Sequence, residues 1–198
     1  EVLNMLSAQI VISMENTRLY ENLEEKVRQR TAALQEAHKQ LELNHNALEE
    51  SHTQINDSVN YASRIQNAVL PRPEFLSNIF STYFVIYLPR AAVSGDFYWV
   101  RHLNEKIIVA AADCTGHGVP GALVSMLGIA FLNEIVPLLA VQSLIDAGSI
   151  LNELRNKVKI TLQQRGMHSE QKEGMDIALC IIDPQKQLLQ FSGAYNPV

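Results

Sequence analysis

The first 70 residues follow a seven-residue pattern of apolar and polar positions. They contain neither glycine nor proline, whereas every glycine lies at or beyond Gly95 and every proline at or beyond Pro71. An apolar residue recurs at each seventh position: Val27, Leu34, Leu41, Leu48, Ile55, Ala62 and Val69. This is the a-position spacing of a coiled coil, so we expect a long helix over 21–70 that forms a parallel homodimer.

The d position, the second apolar position of each heptad, affects the stability of the interface between the helices of a coiled coil. The d positions are mixed, and several are polar: Arg30, Asn44, Ser51 and Ser58. Polar d residues weaken the seam and permit a change of packing, so a passive dimerising stalk and a signalling helix both remain open. The e-position residues His38, His45 and His52 lack an accompanying carboxylate cluster. They are interpreted as solvated flank residues rather than metal ligands.

Beyond Pro71 the pattern changes to short β-rich runs separated by helix-like segments. The runs predict strands over 83–88, 97–103, 106–112, 177–182 and 188–192. Helix-spaced apolar residues predict helices over 121–136 and 144–164. The second opens with Ser143 and Asp146 in capping-box spacing. We therefore expect an α+β fold after a boundary near Leu70 and Pro71.

Composition and charge argue against several classes of partner and site. The 198-residue chain has 47% hydrophobic residues and a formal charge of −5. No basic cluster is present to neutralise phosphates, so we expect no nucleic-acid partner. Cys114 and Cys180 have neither disulfide nor zinc spacing. The apolar stretch 119–141 includes Asn133, Glu134 and Pro137 and is interpreted as a buried helix, not a membrane span. Without a signal-peptide pattern after Glu1, we expect a cytoplasmic fragment of a longer protein.

Two aspartates stand at facing ends of a predicted hairpin. If Asn104 and Glu105 form a two-residue turn, Asp96 falls opposite Asp113 on the same face of the sheet. Two carboxylates this close repel each other, and a bound cation is the simplest way to neutralise them. Oxygen ligands without histidine or thiolate favour magnesium or manganese over zinc. A turn or cap role is the alternative, and a register slip of one residue would separate the pair.

Glycines lie close to both aspartates in the sequence. The segment VSG at 93–95 precedes Asp96, and the segment CTGHG at 114–118 follows Asp113 and leads into a helix near Pro120. Glycine lets the backbone approach a ligand, and the free N–H groups of a helix start favour an anion nearby. This combination indicates metal-assisted chemistry on a phosphoryl group, in which the ion activates water and neutralises charge.

Four segments, taken in order, resemble bacterial serine phosphatases of the sporulation stage II protein E (SpoIIE) type within the protein phosphatase 2C (PP2C, or PPM) superfamily. They read VSGDFYW at 93–99, ADCTGHGVPGA at 112–122, GMDIAL at 174–179 and SGAYNP at 192–197. The resemblance runs over about 62–198, and 65–71 resembles the linker that leads into that domain. It implies an α-β-β-α sandwich of two antiparallel sheets flanked by helices, with two Mn²⁺ or Mg²⁺ ions at one end.

The same resemblance implies roles for individual residues. Asp96 and Asp113 match metal-binding aspartates, and the backbone carbonyl of Cys114 matches a further ligand. In such enzymes a metal-activated water attacks phosphoserine or phosphothreonine directly, so the Cys114 thiol is not expected to be a nucleophile. Asp176 precedes a predicted strand. Two roles stay open for it: contact with the metal site, or a turn or cap role.

The loop formed by Gly116, His117 and Gly118 is expected near the phosphate, with His117 structural rather than a general acid. The expected substrate is a phosphorylated regulatory protein, and an anti-sigma-factor antagonist is a substrate type that the resemblance suggests.

Upstream, the segments AQIVI at 8–12 and ENTRLY at 15–20 resemble the closing helix of GAF sensor domains. We therefore expect three parts: the end of a GAF-like sensor at 1–20, a coiled-coil linker at 21–70 and the phosphatase domain at 71–198.

Family members continue beyond the Asn-Pro motif with strands that carry two more acidic metal ligands, whereas this chain ends at Val198. We expect the C-terminal part of the domain to be missing and hydrolysis by the chain itself to be weak or absent. The alternative function is a catalytically inactive, phosphatase-like module for dimerisation and interaction. A cyclase or kinase fragment ranks last because no nucleotide-binding glycine loop with a lysine is present.

Overall fold

The computed structural model describes residues 2–142, 145–164 and 173–196. Its elements, in order, are α1 (Val2–Val69), α2 (Pro73–Ile79), β1 (Phe97–Leu103), β2 (Lys106–Cys114), α3 (Gly118–Val141), α4 (Ala147–Thr161), β3 (Met175–Asp183) and β4 (Leu188–Ala194). The chain divides into two compact units, Glu1–Ile55 and Asn56–Val198. The predicted α+β fold with a long N-terminal helix is confirmed, and the boundaries at 20/21 and 70/71 stay predictions.

The described part of the first unit is helical throughout. Its a-position residues Val27, Leu34, Leu41, Leu48 and Ile55 are all more than half exposed. This part of the helix contains local polar contacts, such as the 2.8 Å hydrogen bond from Gln29 Nε2 to Glu25 Oε1. An apolar stripe contributes to the stability of a helix when another surface covers it. The stripe is therefore consistent with a coiled coil, which stays a prediction.

The second unit is built on an antiparallel sheet whose strands lie in chain order, β1-β2-β3-β4. The first hairpin has the predicted register, with Leu103 paired to Lys106 and Phe97 paired to Ala112. Its turn residues Asn104 and Glu105 have φ angles of 49° and 61°. Two positive φ angles characterise the type I′ turn, whose twist matches that of the flanking strands.

Helices α3 and α4 cover one face of this sheet. Alternate residues of β2 and β3 are buried beneath them, and Ile108 and Leu179 are fully inaccessible. Leu132 of α3 and Ile150 of α4 complete the centre of the core. Among the described residues, α3 is the one helix long and apolar enough to cross a membrane. Its inner residues are buried in the same core as the sheet, as in the core helix of a folded domain.

Helix α4 begins later than the sequence predicts. Ser143 and Leu144, where the capping box and the helix were expected to start, lie outside the described residues. Asp146 is the N-cap, and its carboxylate accepts a 3.0 Å hydrogen bond from the Ser149 backbone N–H. The predicted capping box has Ser143 as the N-cap and Asp146 three residues later, whereas Asp146 is itself the N-cap. Its side chain reaches a free N–H of the first helical turn.

The strand predicted over 83–88 is wrong. These residues pair with no strand within the described chain, and Phe84, Ile86 and Leu88 are strongly exposed. A run of β-favouring residues predicts an extended conformation, but a strand forms only when a partner satisfies its backbone hydrogen bonds. The described residues accordingly hold one four-stranded sheet instead of the two sheets that the resemblance implies.

Candidate active site

Asp96 and Asp113 lie side by side at one end of the sheet. Phe97 pairs with Ala112, so Asp96, one residue earlier, falls opposite Asp113 when the hairpin register is extended by one step. Opposed residues of an antiparallel pair point to the same face with Cβ atoms about 5 Å apart. The two carboxyl groups are close enough for a side-chain hydrogen bond between them.

This proximity changes the acid–base behaviour of Asp96. Partial desolvation, the hydrogen bond to Asp113 and the repulsion between the two carboxylates raise the pKa of Asp96 above its usual value. Within the described part of the chain, Asp96 has no ion pair with a basic side chain. The pair is therefore a concentration of negative charge that a cation would neutralise.

Asp176 extends the row of aspartates onto the next strand. It lies in β3, directly opposite Asp113 in the β2–β3 ladder. Even so, the described residues contain no group of three or more His, Cys, Asp or Glu side chains arranged to hold one ion. Asp176 is thus adjacent to the Asp96–Asp113 pair, while the described chain supplies two closely placed carboxylates rather than three.

Backbone carbonyls are packed against the turn that precedes Asp96. A Cβ atom on Gly95 would lie 2.9 Å from the Gly116 carbonyl oxygen and 3.0 Å from the Cys114 carbonyl oxygen. Glycine at position 95 therefore allows the loop after Asp113 to approach the loop before Asp96. Gly116, with a φ angle of +90°, and Gly118, with a φ angle of +64°, provide the left-handed conformations that turn this loop back.

The Cys114 thiol is not available for nucleophilic chemistry. Its side chain is buried in the core, and burial, reinforced by the charges of Asp113 and Asp96, raises the pKa of Cys114 to about 12. A thiol with this pKa remains protonated near neutral pH, whereas the thiolate is the reactive form.

His117 is the N-cap residue of α3, but its side chain makes no capping hydrogen bond. It is exposed, between the two left-handed glycines. The loop 116–118 therefore opens to solvent beside the start of α3, where a free helix end is compatible with a bound anion.

The donor set of this site fits a hard divalent cation. Two adjacent carboxylates and a neighbouring carbonyl oxygen are the ligands that Mg²⁺ and Mn²⁺ use in proteins, and Mg²⁺ commonly keeps several waters in addition. Desolvation is the main cause of the raised pKa of Asp96, and the repulsion from Asp113 that adds to it would be relieved by such a charge.

Comparison with solved structures relates the fold of this chain to a known domain. The SiaA-PP2C domain of Pseudomonas aeruginosa is similar, with 33% sequence identity and a TM-score of 0.61, over 73% of this chain and 55% of that domain. This chain carries part of a SpoIIE-like PP2C domain. It spans about half the length of the SiaA domain that it matches.

Other comparisons add less to the assignment of this PP2C domain. A bacterial stressosome structure, described as a modular system adapted to control secondary messenger signalling, matches at 23% identity over 53% of this chain and 44% of its own. The SpoIIE phosphatase domain of Bacillus subtilis, with a fragment of its regulatory domain, matches at 20% over 52% and 33%. Both TM-scores are 0.37, too low to carry an argument. No family model and no curated protein matches the chain.

One residue of this PP2C domain was missed by the sequence analysis. Gln66, near the end of α1, is 3% exposed, and its Nε2 donates hydrogen bonds to the Ser94 carbonyl at 2.6 Å and to Ser125 Oγ at 2.9 Å. The Ser94 backbone N–H donates in return to Gln66 Oε1 at 3.0 Å. Ser94 Oγ then accepts a hydrogen bond from the Asp96 backbone N–H at 3.0 Å. A chain of hydrogen bonds therefore connects the end of α1 to the backbone of Asp96.

Proposed function

We propose that this chain belongs to a metal-dependent protein serine/threonine phosphatase of a bacterial signalling pathway that acts in the cytoplasm. The observation that carries the proposal is the pairing of Asp96 with Asp113 beside the packed carbonyl of Cys114. The relationship to a PP2C domain supports a phosphatase. The metal, the phosphoserine or phosphothreonine substrate and the regulation go beyond that relationship and are proposed here.

Asp96 and Asp113 would hold Mn²⁺ or Mg²⁺ through their carboxylates, with the carbonyl of Cys114 as a further ligand. The ion, when bound, would lower the pKa of a water molecule so that hydroxide attacks phosphorus, and would offset the charge of the phosphoryl group. Gly116 and Gly118 leave the loop around His117 without bulky side chains at its two turns, so a phosphate could approach the backbone N–H groups at the start of α3. No side chain in this scheme forms a covalent bond to phosphorus.

The proposed substrate is a phosphorylated regulatory protein of the anti-sigma-factor-antagonist type. Control would come from an upstream GAF-like sensor, whose end is 1–20, through a parallel coiled-coil dimer. The exposed a-position stripe supports the dimer because it offers an apolar surface along one side of the helix.

Neutralising the aspartates tests this function directly. In the natural full-length protein, Asp96→Asn and Asp113→Asn should each lower the rate of Mn²⁺-dependent hydrolysis of a phosphoserine peptide by at least about 100-fold, because each removes charge that holds the metal. Asp57→Asn, which changes an exposed aspartate of α1, is the matched control and should retain the wild-type rate. Wild-type rates in both site variants would exclude the proposed role of the pair.

A second function, a catalytically inactive interaction module, is favoured by one observation. The described residues contain no group of three side chains that could hold a metal. The two functions differ in metal binding: the phosphatase should bind Mn²⁺ in calorimetry and lose this binding in Asp113→Asn. An inactive module should show neither Mn²⁺ binding nor turnover of p-nitrophenyl phosphate in the full-length protein.

A further inference from the structure

A cavity of about 660 Å³ lies between α4 and the ends of β3 and β4. Its volume is in the range of sites that bind small ligands or several side chains of a peptide. Apolar residues of α4, among them Leu154, line it together with residues near the start of β3. We call it the α4 cavity.

The α4 cavity is next to the aspartate row. Thr115, two residues after Asp113, is one of its lining residues. Thr115 is held to Gly174 by hydrogen bonds in both directions, with its backbone N–H donating to the Gly174 carbonyl at 2.9 Å and its Oγ1 accepting from the Gly174 N–H at 3.0 Å. Asp176, opposite Asp113, also lines the cavity. A polypeptide with a phosphorylated residue at Asp96 and Asp113 would therefore pass close to the cavity.

Two cations of α4 line the same cavity. Arg155 and Lys159 are exposed and lie four residues apart, on the same side of the helix. Among the described residues, neither is within ion-pair distance of a carboxylate. Like charges at this spacing slightly destabilise a helix. An anionic group bound between them would remove this repulsion.

Tyr195 adds an aromatic surface at the cavity. It is 92% exposed and has a φ angle of 59°. A left-handed backbone is uncommon for a bulky residue, and an exposed aromatic ring supplies contact area at a low cost in side-chain entropy. The cavity thus combines an apolar floor, an exposed ring and the two cations of α4, and the carboxylates of Glu173 and Asp176 also line it on the β3 side. Among the described residues, these carboxylates form no ion pair with Arg155 or Lys159.

We propose that the α4 cavity binds the residues beside the phosphorylated serine or threonine of the protein substrate, and that Arg155 and Lys159 select acidic residues there. This inference rests on the proposed phosphatase function and names the substrate class: a phosphoprotein segment with carboxylates next to the phosphorylated residue. Charge complementarity carries the choice of occupant: Arg155 and Lys159 form no ion pair with Glu173 or Asp176 in the described part of the chain, so a substrate carboxylate bound along α4 would supply their partner.

Binding of a non-hydrolysable substrate analogue tests the inference. The probe is a fluorescent peptide in which a phosphonate replaces phosphoserine, flanked by glutamates, and the comparison peptide has glutamines in their place. With Mn²⁺ and the full-length protein, fluorescence anisotropy should give about ten-fold tighter binding for the glutamate peptide. Arg155→Ala and Lys159→Ala should each weaken that binding roughly three-fold, and Lys159→Glu should reduce the preference further.

Lys157→Ala is the matched control because it removes the same charge from the same helix at a residue that pairs with Glu134 instead of lining the cavity. It should leave the preference for the glutamate peptide unchanged. Equal binding of the two peptides, or an equal loss in Lys157→Ala, would overturn the proposal.

Hydrolysis of p-nitrophenyl phosphate by the wild-type protein separates this inference from the proposed function. Turnover without a preference for the glutamate peptide rejects the acidic-substrate site and keeps the phosphatase. A preference that depends on Arg155 without any turnover rejects the phosphatase and keeps the site as a binding surface.

Discussion

Gly95 occupies a position where neighbouring backbone leaves no room for a side chain. A Cβ atom there would meet the carbonyl oxygens of Gly116 and Cys114 at 2.9 and 3.0 Å. Gly95→Ala should therefore displace the loop after Asp113 and lower the free energy of unfolding by about 1–3 kcal/mol, the usual cost of overpacking. Urea denaturation of the chain followed by circular dichroism measures this loss.

Gly174→Ala is the control for this prediction. A Cβ atom at position 174 would have Thr115 Oγ1 as its nearest neighbour, at 3.9 Å, which is an ordinary contact. This variant should unfold within about 0.5 kcal/mol of the wild type. If both variants unfold alike, the close approach of the two loops at Gly95 is not a constraint.

Gln66 is a buried amide whose hydrogen bonds connect two separate segments. Gln66→Leu keeps the approximate volume but leaves the Ser94 backbone N–H without its acceptor. A buried donor without a partner costs about 1–3 kcal/mol, so this variant should unfold at lower urea concentration. Asn67→Leu changes an exposed neighbour whose side-chain amide donates a 3.4 Å hydrogen bond to Ser63 Oγ within the same helix. It should have little effect, and an equal loss in both variants would contradict a specific role for the Gln66 contacts.

At the scale of the element, the start of α4 depends on one capping side chain. The hydrogen bond from Ser149 lowers the pKa of Asp146. Asp146→Ala should lower the free energy of unfolding by about 1 kcal/mol near neutral pH. Because the folded-state pKa is depressed, the charged cap contributes above the unfolded pKa of about 3.9. This contribution disappears as the pH falls through the folded value.

Urea titrations at pH 7 and in acid measure this difference. Asp146→Asn serves as the comparison because asparagine can accept the same hydrogen bond without titrating, so most of the stability should return without the acid dependence. A gap between wild type and Asp146→Ala that is constant from pH 7 to acid would rule out the carboxylate as the titrating cap.

The elements that could be predicted are those set by local pattern. The β1–β2 hairpin follows from β-rich runs on both sides of Asn104 and Glu105, and its register, extended by one step, places Asp96 opposite Asp113. The helices α3 and α4 follow from apolar spacing, with ends displaced by a few residues. The Asp96–Asp113 pair could therefore be predicted from the sequence, because the two aspartates belong to one hairpin.

The features that could not be predicted depend on distant parts of the chain. The segment 83–88 has the composition of a strand but has no strand partner in the described residues. Gln66 looks like any polar residue of a helix, and only the position of Ser94, 28 residues away, shows why it is buried. The α4 cavity likewise brings Arg155 and Thr115 to the lining of one pocket through sheet packing that no local pattern encodes.

At the scale of the whole molecule, the heptad stripe and the PP2C fold lie on one polypeptide, and the proposed control requires that the coil packing influence the catalytic unit. Inserting four residues after Asn44 adds a stutter, which locally unwinds a left-handed coiled coil. Inserting seven residues at the same point preserves the heptad phase and is the matched control. The four-residue insertion should change phosphatase activity of the full-length protein, and the seven-residue insertion should not.

Sedimentation equilibrium of the same variants separates control from simple loss of the dimer. A changed rate at an unchanged dimer mass is the expected result for the four-residue insertion, because a stutter alters the packing of the seam without removing its apolar residues. The mixed d positions lower the free-energy cost of this change, since a seam that contains Asn44 and Ser51 buries few apolar side chains there. An unchanged rate together with an unchanged mass would instead show that the helix is a passive tether.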